Sequence, residues 1–313
     1  MLNRLSKVTG KSLKRITATG KPAVAIVGAG SLASFLAVAL RDVGYAIPEI
    51  IVRDSPRSRR RARSLAAKVG AQVVTASSAA LDATLLWFCV PDREIRGAAR
   101  ALADRLATRK KRKQINRARS QVRFALHSSG ALLSRELDPL LKASLVSASV
   151  HPLMTFVSGA HPSLAGVPFA MEGDKGAMQI ASRIVRDLGG EAFSLSAKRK
   201  PAYHAWATMT SPLLLAYFVT LEEAARAAGL ARKDARRMSL PIIRQTLENY
   251  GRLGPDHSFS GPFIRGDAET VAKHLALLKK HPRRRAVYVA LARAAIDGLP
   301  VKNRKDMRRL LEG

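Results

Sequence analysis

The sequence predicts an α/β protein in which a doubly wound, mostly parallel sheet is followed by an all-helical C-terminal domain. Up to about residue 198, short apolar runs alternate with helical patterns, as in a sheet covered by helices on both faces. Beyond that point the apolar residues recur at helical spacing. We therefore divide the chain into a basic tail over residues 1–21, a sheet domain over 22–198 and a helical domain over 199–313.

Eight apolar runs predict the strands of the sheet. They cover residues 24–27, 50–52, 73–74, 85–90, 122–126, 145–150, 169–171 and 193–195. The run 85–90 is apolar throughout, which is typical of a strand buried on both faces. Because parallel strands end at a common rim, residues that directly follow several of these runs are expected to lie near one another.

Helices are predicted between and after these strands. In the sheet domain they cover 31–43, closed by Gly44, then the stretch from Ser55-Pro56 to Gly70, then 95–106 and 176–188. The Lys/Arg-rich run 109–119 is interpreted as a solvated loop or a helix end. In the helical domain, the predicted helices cover 201–228, 232–250, 267–280 and 284–297.

The chain has 313 residues and a net charge of +31, from 54 basic and 23 acidic residues. Nucleic acid, an anionic membrane and an anionic cofactor are all compatible with that charge. Since the charge is spread widely and no basic run is interleaved with aromatic residues, a solvated basic surface is favoured over nucleic-acid binding. The single cysteine, Cys89, excludes an intrachain disulfide and favours an intracellular, cytoplasmic protein.

The first 21 residues hold six basic and no acidic residues, without the continuous apolar segment of a secretory signal. A plain basic tail is favoured, with an organelle transit peptide as the alternative. No apolar run reaches the ~18 residues that are needed to span a bilayer. We therefore expect no membrane span.

A glycine-rich turn follows the first strand and opens the first helix, and it fits the pattern G-x-G-x-x-A. The first glycine permits a tight turn, the second lets the backbone approach a pyrophosphate, and Ala33 allows close contact between helix and strand. The helix N-terminus supplies free N–H groups for the phosphates. A plain Gly-rich turn is the alternative, but the strand–turn–helix context favours a dinucleotide site in a Rossmann domain. The predicted cofactor-binding residues here are Gly28, Ala29, Gly30, Ser31 and Leu32.

The end of the second strand selects between cofactors. An acidic residue there would hold a ribose 2′-hydroxyl, whereas arginine accommodates a 2′-phosphate. Arg53 could pair with phosphate, and Ser55 at the next helix N-terminus could also bind the anion, whereas Asp54 would favour NAD(H). The arginines over 57–61 favour NADP(H) as cofactor. Farther along the rim, Val90, Pro91 and Asp92 could border the nicotinamide ribose, although Asp92 could instead be a helix N-cap.

Four motifs resemble those of the bacterial family described as Rossmann-like and DUF2520 domain-containing proteins. They lie at residues 127–132, 149–156, 200–205 and 261–267, and His274-Leu275 completes the set. The resemblance covers nearly the whole chain after Lys21. It implies an NADP-binding fold with an appended helical domain, similar in plan to ketopantoate reductase, pyrroline-5-carboxylate reductase and prephenate dehydrogenase. The chain departs at one point, since Ser211-Pro212 stands where relatives commonly have Asn eight residues after Tyr-His.

His151 is the first candidate for proton transfer, because it directly follows a strand and imidazole exchanges protons near neutral pH. Ser128 and Ser129 also follow a strand, so they are expected at the same rim. The arrangement is similar to the Ser…His-Pro pair of prephenate dehydrogenase, with Ser128 near the cofactor and Ser129 as a catalytic candidate. The alternative for His151 is a buried loop histidine that is hydrogen-bonded to backbone.

Lys200 and His204 lie four residues apart on one face of a predicted helix. Lysine at that place resembles the general acid of ketopantoate reductase-like enzymes, with ordinary surface charge as the alternative. Arg265 could clamp a substrate carboxylate, and Asp267 is a candidate for substrate binding or for an N-cap. His161, His257 and His281 are interpreted as loop residues, and no spacing of His, Asp and Glu indicates a metal.

Together these features predict an NADP(H)-dependent oxidoreductase for a small, anionic substrate that sits between the two domains. By analogy with similar helical domains, the protein is expected to be a homodimer. The competing hypothesis is a non-enzymatic NADP(H)-binding or sensor protein with a basic partner-binding surface, and Ser211-Pro212 is the feature that favours it.

Overall fold

The computed structural model describes residues 20–113, 123–160 and 162–312. His161 and nearly all of the predicted basic tail therefore lie outside the described residues, as does the part of the run 109–119 that follows Lys113. The chain divides into two compact units, Met1–Thr208 and Met209–Gly313. This division falls ten residues after the predicted domain boundary at 198, because the helix that begins at Lys200 packs with the first unit.

The first unit contains an eight-stranded sheet in the order β3-β2-β1-β4-β5-β6-β7-β8. The strands are β1 (Val24–Val27), β2 (Glu49–Ile51), β3 (Gln72–Val74), β4 (Leu85–Phe88), β5 (Phe124–His127), β6 (Val146–Pro152), β7 (Pro168–Gly173) and β8 (Glu191–Ser194). Strands β1 to β6 are parallel, whereas β7 pairs with β6 in antiparallel register and β8 is parallel to β7. The predicted doubly wound, mostly parallel sheet is confirmed.

The helices of the first unit begin and end where the sequence provides caps. They are α1 (Ser31–Asp42), α2 (Pro56–Val69), α3 (Asp92–Lys113), α4 (Lys175–Asp187) and α5 (Lys200–Thr208). Ser55 caps α2 by accepting from the Ser58 N–H, and Gly70 closes it with a φ of 70°. A 3₁₀ helix, Ser134–Ala143, was not predicted, because Pro139 interrupts its helical pattern.

Both faces of the sheet are covered by apolar side chains. Val24 and Ile26 of β1 belong to one buried cluster, while Ala25 and Val27 belong to the cluster on the opposite face. The strand β4 alternates in the same way and is buried at every position. The sheet rim at the carboxyl ends of β1, β4, β5 and β6 is thus supported by a core on each side.

The second unit is helical. A π-helical turn (Met209–Leu213) leads into α6 (Leu214–Ala225), and the chain continues through α7 (Arg232–Ser258), α8 (Pro262–Arg265), α9 (Ala268–Leu278), α10 (Pro282–Gly298) and α11 (Arg304–Glu312). The predicted helix 201–228 is interrupted by the π turn because Pro212 lies inside it. Helix α11 was missed, although its Met307 is buried in the core of this unit. Within the described residues, no helix is both long and apolar enough to cross a membrane.

Candidate active site

Gly28, which directly follows β1, can only be glycine. Its φ is +117°, and an added Cβ would lie 2.5 Å from the carbonyl oxygen of Cys89. The Gly28 N–H donates to the Ile51 carbonyl over 2.8 Å, so the turn bridges the ends of neighbouring strands. Ala33 is fully buried, which allows α1 to pack closely on the sheet. The geometry is that of a tight turn held between β2 and β4.

Gly30 has a different environment. It precedes α1 in extended conformation, and an added Cβ would meet no atom within 4 Å. The first-turn N–H groups of α1, which begins with Ser31 and Leu32, have no acceptor inside the helix. Open space beside Gly30 and a helix N-terminus together fit a phosphate group.

A groove of about 1010 Å³ extends from this turn along the rim of the sheet. One wall contains residues 27–30, 51–54 and 75–77, and the other contains residues 89–91 and the face of α3 with Ala98 and Leu102. The predicted Gly28, Ala29, Gly30, Arg53, Val90 and Pro91 all line the groove, whereas Ser31, Leu32, Ser55, Asp92 and Ser128 do not. The walls combine apolar side chains such as Val52 and Leu102 with charged ones such as Arg53 and Arg61, a combination that suits a nucleotide.

The residues after β2 have separate partners. The Arg53 Nη1 atom lies 3.1 Å from Glu94 Oε1 while 73% of the Arg53 side chain is exposed. Asp54 forms a 2.8 Å ion pair with Arg59, whose hydrogen bond and charge lower the pKa of that carboxyl. Ser58 and Arg61 of α2 also line the groove. Arg61 is one of the arginines over 57–61 that favoured NADP(H), whereas Ser58 was not a predicted site residue. The arginine side chains at this end make it electropositive.

The turn after β5 is organised by His127, which is fully buried. The Ser129 N–H donates to His127 Nδ1 over 3.1 Å, so Nε2 carries the proton and donates to the Leu133 carbonyl over 3.0 Å. Burial is the main cause that lowers the pKa of His127 to about 4. A neutral imidazole therefore fixes both ends of the turn.

The predicted Ser128, Ser129 and Asp92 form part of the same rim. Ser128 Oγ accepts from Trp87 Nε1 over 2.9 Å. Ser129 Oγ donates to Asp92 Oδ2 over 2.8 Å and accepts from the N–H groups of Ala131 and Leu132. Ser129 is buried, and its hydroxyl serves to hold the turn. Asp92, the first residue of α3, accepts this hydrogen bond and so fixes the Ser129 side chain.

His151 lies at the end of β6 and is paired with a tyrosine. Its Nδ1 atom is 2.8 Å from the hydroxyl of Tyr203 on α5, and its ring centroid is 6.3 Å from that of His204. Burial first, and then the charges of His204 and Lys200, lower the pKa of His151 to about 4. Burial raises the pKa of Tyr203 to about 12. The site therefore presents a neutral imidazole hydrogen-bonded to a protonated phenol near pH 7.

Gly130 lies against both histidine rings. An added Cβ at Gly130 would lie 2.6 Å from His204 Cδ2 and 2.9 Å from His151 Nε2. The structure thus brings together His151 and His204 with the turn that carries Ser128 and Ser129. Tyr203 and Gly130, which were noted only within motifs, belong to the same cluster. Their proximity to His151 depends on contacts between distant parts of the chain.

Lys200 is not a surface residue, since only 2% of it is exposed. Its ammonium donates to Ser149 Oγ and lies 3.9 Å from Glu172 Oε2. Burial lowers the pKa of Lys200 to about 8, although the Glu172 and Asp92 charges oppose that shift. The interpretation of Lys200 as ordinary surface charge is therefore wrong.

Arg265 and Asp267 lie in the second unit, at the end of α8 and the start of α9. Asp267 caps α9, accepting from the Thr270 N–H over 3.0 Å and from its hydroxyl over 2.7 Å. These bonds are the main cause that lowers the pKa of Asp267. Arg265 is exposed. His257 and His281, also in this unit, lie at the end of α7 and directly before α10.

Two family models match the chain in succession. A Rossmann-like domain matches residues 13–152, and the domain of unknown function DUF2520 matches residues 167–295. The order is that of the family indicated by the four sequence motifs. A comparison with curated proteins gave no match.

Three of the solved structures with this fold share 14–20% sequence identity with the chain. A provisionally assigned NADP oxidoreductase from Bacteroides fragilis has a TM-score of 0.69 at 20% identity, over 88% of this chain and 97% of that one. A pyrroline-5-carboxylate reductase from Coxiella burnetii has a TM-score of 0.55 at 16% identity, with coverages of 84% and 94%. An imine reductase from Myxococcus stipitatus, in complex with NADP+, has a TM-score of 0.58 at 14% identity, with coverages of 93% and 100%.

Proposed function

We propose that this chain, a Rossmann-like and DUF2520 domain-containing protein, is an NADP(H)-dependent oxidoreductase that acts on a small molecule. The observation that carries the proposal is the continuity of the rim. Cys89 and Val90, which follow β4, line the nucleotide groove. The next two strands in the sheet, β5 and β6, end in the Ser128–Gly130 turn and in His151, which contacts Tyr203. A dinucleotide site and a proton-transfer pair on one rim are the requirements of hydride transfer.

The proposed cofactor is NADP(H). The turn at Gly28 and Gly30 with the N-terminus of α1 would hold the pyrophosphate, and the arginine-rich end of the groove would hold the 2′-phosphate. Arg53 and Arg61 both line that end, whereas the Asp54 carboxylate is paired with Arg59. The provisionally assigned NADP oxidoreductase from Bacteroides fragilis and the imine reductase in complex with NADP+ support the choice.

Replacement of Arg61 should weaken the binding of NADPH and leave the binding of NADH nearly unchanged. A charge-assisted hydrogen bond to a phosphate contributes about 1.5–3 kcal/mol, so Arg61→Ala should raise the Kd for NADPH about tenfold to a hundredfold. The Kd for NADH, which lacks the 2′-phosphate, should change less than twofold. Isothermal titration with both cofactors measures the difference. Arg60→Ala is the matched control, because Arg60 is exposed on the same helix and does not line the groove; an equal loss in both variants would contradict the assignment.

The proposed chemical role of the protein is to deliver one proton to the substrate or to remove one from it. When bound, the nicotinamide supplies or accepts the hydride at a substrate carbon. In the reducing direction, the substrate heteroatom must gain a proton. The neutral pair would supply it from His151 Nε2–H as the Tyr203 hydroxyl proton moves to Nδ1, and solvent would then reprotonate the phenolate. The reverse direction uses the same groups to remove that proton.

The substrate is proposed to be a small carbonyl, imine or alcohol, and Arg265 remains the candidate for binding an anionic group. The position of the substrate between the two domains stays a prediction from the sequence. NADPH oxidation with a panel of 2-oxo acids, imines and enones tests the function. NADPH binding without turnover of any compound would favour the sensor hypothesis, for which the π turn at Ser211-Pro212 is the structural argument.

The homodimer is also proposed, with helices α6 and α7 as the interface. Ala235 is their only apolar residue that is buried, while Ile242, Leu215 and Tyr250 are each more than 60% exposed. Exposed apolar side chains on these two helices favour coverage by another protein surface. A second copy of the chain, which offers the same face across a two-fold axis, would provide it.

A charge in this face should dissociate the dimer. Ile242, which is 70% exposed, makes few contacts within its own chain, so Ile242→Glu should leave the fold intact and yield a monomer. Sedimentation equilibrium measures the mass. The control is Lys273→Glu on the exposed face of α9, which should remain dimeric. A wild-type protein that sediments as a monomer at high micromolar concentration would contradict the proposed interface.

A further inference from the structure

Lys200 is buried and contacts protein groups, not the open side of the site. Its side chain is 3% exposed, and the described contacts of its ammonium are Ser149 Oγ and, at 3.9 Å, Glu172 Oε2. A group that gives its proton to a substrate must come within hydrogen-bond reach of it. A buried ammonium with these partners is instead suited to hold protein groups in place.

The hydrogen bonds from Lys200 have a fixed direction. An ammonium can only donate, so Ser149 Oγ must accept. The one hydroxyl proton of Ser149, which is fully buried, is then donated to the Ser129 carbonyl over 3.0 Å. Lys200 is therefore connected through a single hydroxyl to the start of the loop 128–134.

The second partner of Lys200 leads to the other end of the same loop. Glu172 Oε1 accepts from Ser134 Oγ over 2.8 Å, and Oε2 accepts from the Ser134 N–H over 2.9 Å. The ammonium thus stands between the two side chains, Ser149 and Glu172, that fix the two ends of the loop 128–134. Gly130, inside this loop, is the residue that lies against His151 and His204.

We propose that Lys200 is a positioning residue, whose buried ammonium ties both ends of the loop 128–134 and so fixes Gly130 against the His151 and His204 rings. Its effect on turnover rests on the proposed function, but its effect on the loop does not. The charge of Lys200 also contributes to the low pKa of His151. The other titratable groups around Lys200 and His151 are His127 on β5, Asp92 on α3, Glu172 on β7, and Tyr203 and His204 on α5.

Hydrogen exchange of two amides tests the proposal without cofactor or substrate. The N–H groups of Ala131 and Leu132 donate to Ser129 Oγ and report whether the loop is held. In Lys200→Met and in Ser149→Ala, these amides should exchange at least tenfold faster than in the wild type. Combining both substitutions should have less than the sum of the two single effects, since Lys200 and Ser149 are hydrogen-bonded to each other. Lys198→Met, at an exposed neighbouring position, is the control and should change neither amide.

The Ser149 variants keep the test decisive if Lys200→Met does not fold. Ser149→Thr retains a hydroxyl and should restore slow exchange relative to Ser149→Ala. Unchanged exchange in Ser149→Ala would overturn the proposal. NMR titration of His151 gives a second readout: its pKa should rise in Lys200→Met and stay low in Ser149→Ala, which keeps the ammonium. If Lys200 instead protonated the substrate, Lys200→Met would abolish NADPH turnover while both amides exchanged at the wild-type rate.

Discussion

The Gly30→Ala variant should remain folded and lose at least tenfold in NADPH affinity, which corresponds to ~1.4 kcal/mol of binding free energy. An alanine Cβ meets no protein atom within 4 Å at this position, and the φ of Gly30 is an ordinary −80°. Alanine is a poorer N-cap than glycine, so the free energy of unfolding should fall by about 1 kcal/mol or less. The methyl group would, however, occupy the space through which the pyrophosphate approaches the backbone.

Gly28→Ala is the contrasting variant, because there the clash is with the protein itself. Its φ of +117° and the 2.5 Å approach to the Cys89 carbonyl should cost about 2 kcal/mol or more in unfolding free energy. Urea denaturation measures the stability of each variant, and isothermal titration measures NADPH binding. Gly176→Ala in α4 is the control, since its Cβ would make only ordinary contact at 3.8 Å. Full NADPH affinity in folded Gly30→Ala would contradict the placement of the pyrophosphate.

The His151–Tyr203 pair should carry the largest effect on turnover. Loss of a positioned proton-transfer group costs about 10²–10⁴-fold in rate, so His151→Ala should lower kcat by that factor with NADPH binding intact. Tyr203→Phe should lower kcat in the same direction, because the phenol that is hydrogen-bonded to Nδ1 is lost. Steady-state kinetics with the best substrate of the panel measures both.

Tyr288→Phe provides a matched control, because Tyr288 forms a similar 3.0 Å hydrogen bond to His274 Nδ1 in the second unit. Its kcat should equal that of the wild type. The pH dependence follows from the His151 pKa of about 4: the imidazole is neutral above that value and becomes charged only as the pH falls through it. The rate profile should therefore show no inflection near pH 6.5, and a wild-type rate in His151→Ala would remove His151 from the mechanism.

The fold could be predicted because its signals are local. Apolar runs, the cap at Ser55-Pro56 and the C-terminal Gly70 identify elements within a few residues of one another. The 3₁₀ helix Ser134–Ala143 and the helix Arg304–Glu312 could not be read in this way. Pro139 interrupts the helical pattern of Ser134–Ala143. The helix Arg304–Glu312 is strongly charged, and it is stabilised because Met307 and Leu311 are buried in a core built by other helices.

The site was only partly accessible from the sequence. The glycine turn is contiguous and has a recognisable pattern, whereas the partners of His151 and Lys200 lie 52 and 51 residues away in the chain. Nothing near His151 indicates that its neighbour is Tyr203. Nothing near Lys200 indicates that it is buried on Ser149. Such pairings depend on how β6 and α5 pack, and that is decided by tertiary structure.

Fluorescence titration of the 313-residue chain with NADPH and with NADH tests the proposed dinucleotide site and its preference for NADP(H). NADPH should bind saturably and at least tenfold more tightly than NADH, because the arginine-rich end of the groove would contact the 2′-phosphate. Equal affinities would contradict the choice of NADP(H). Saturable binding of neither cofactor would contradict the dinucleotide site itself.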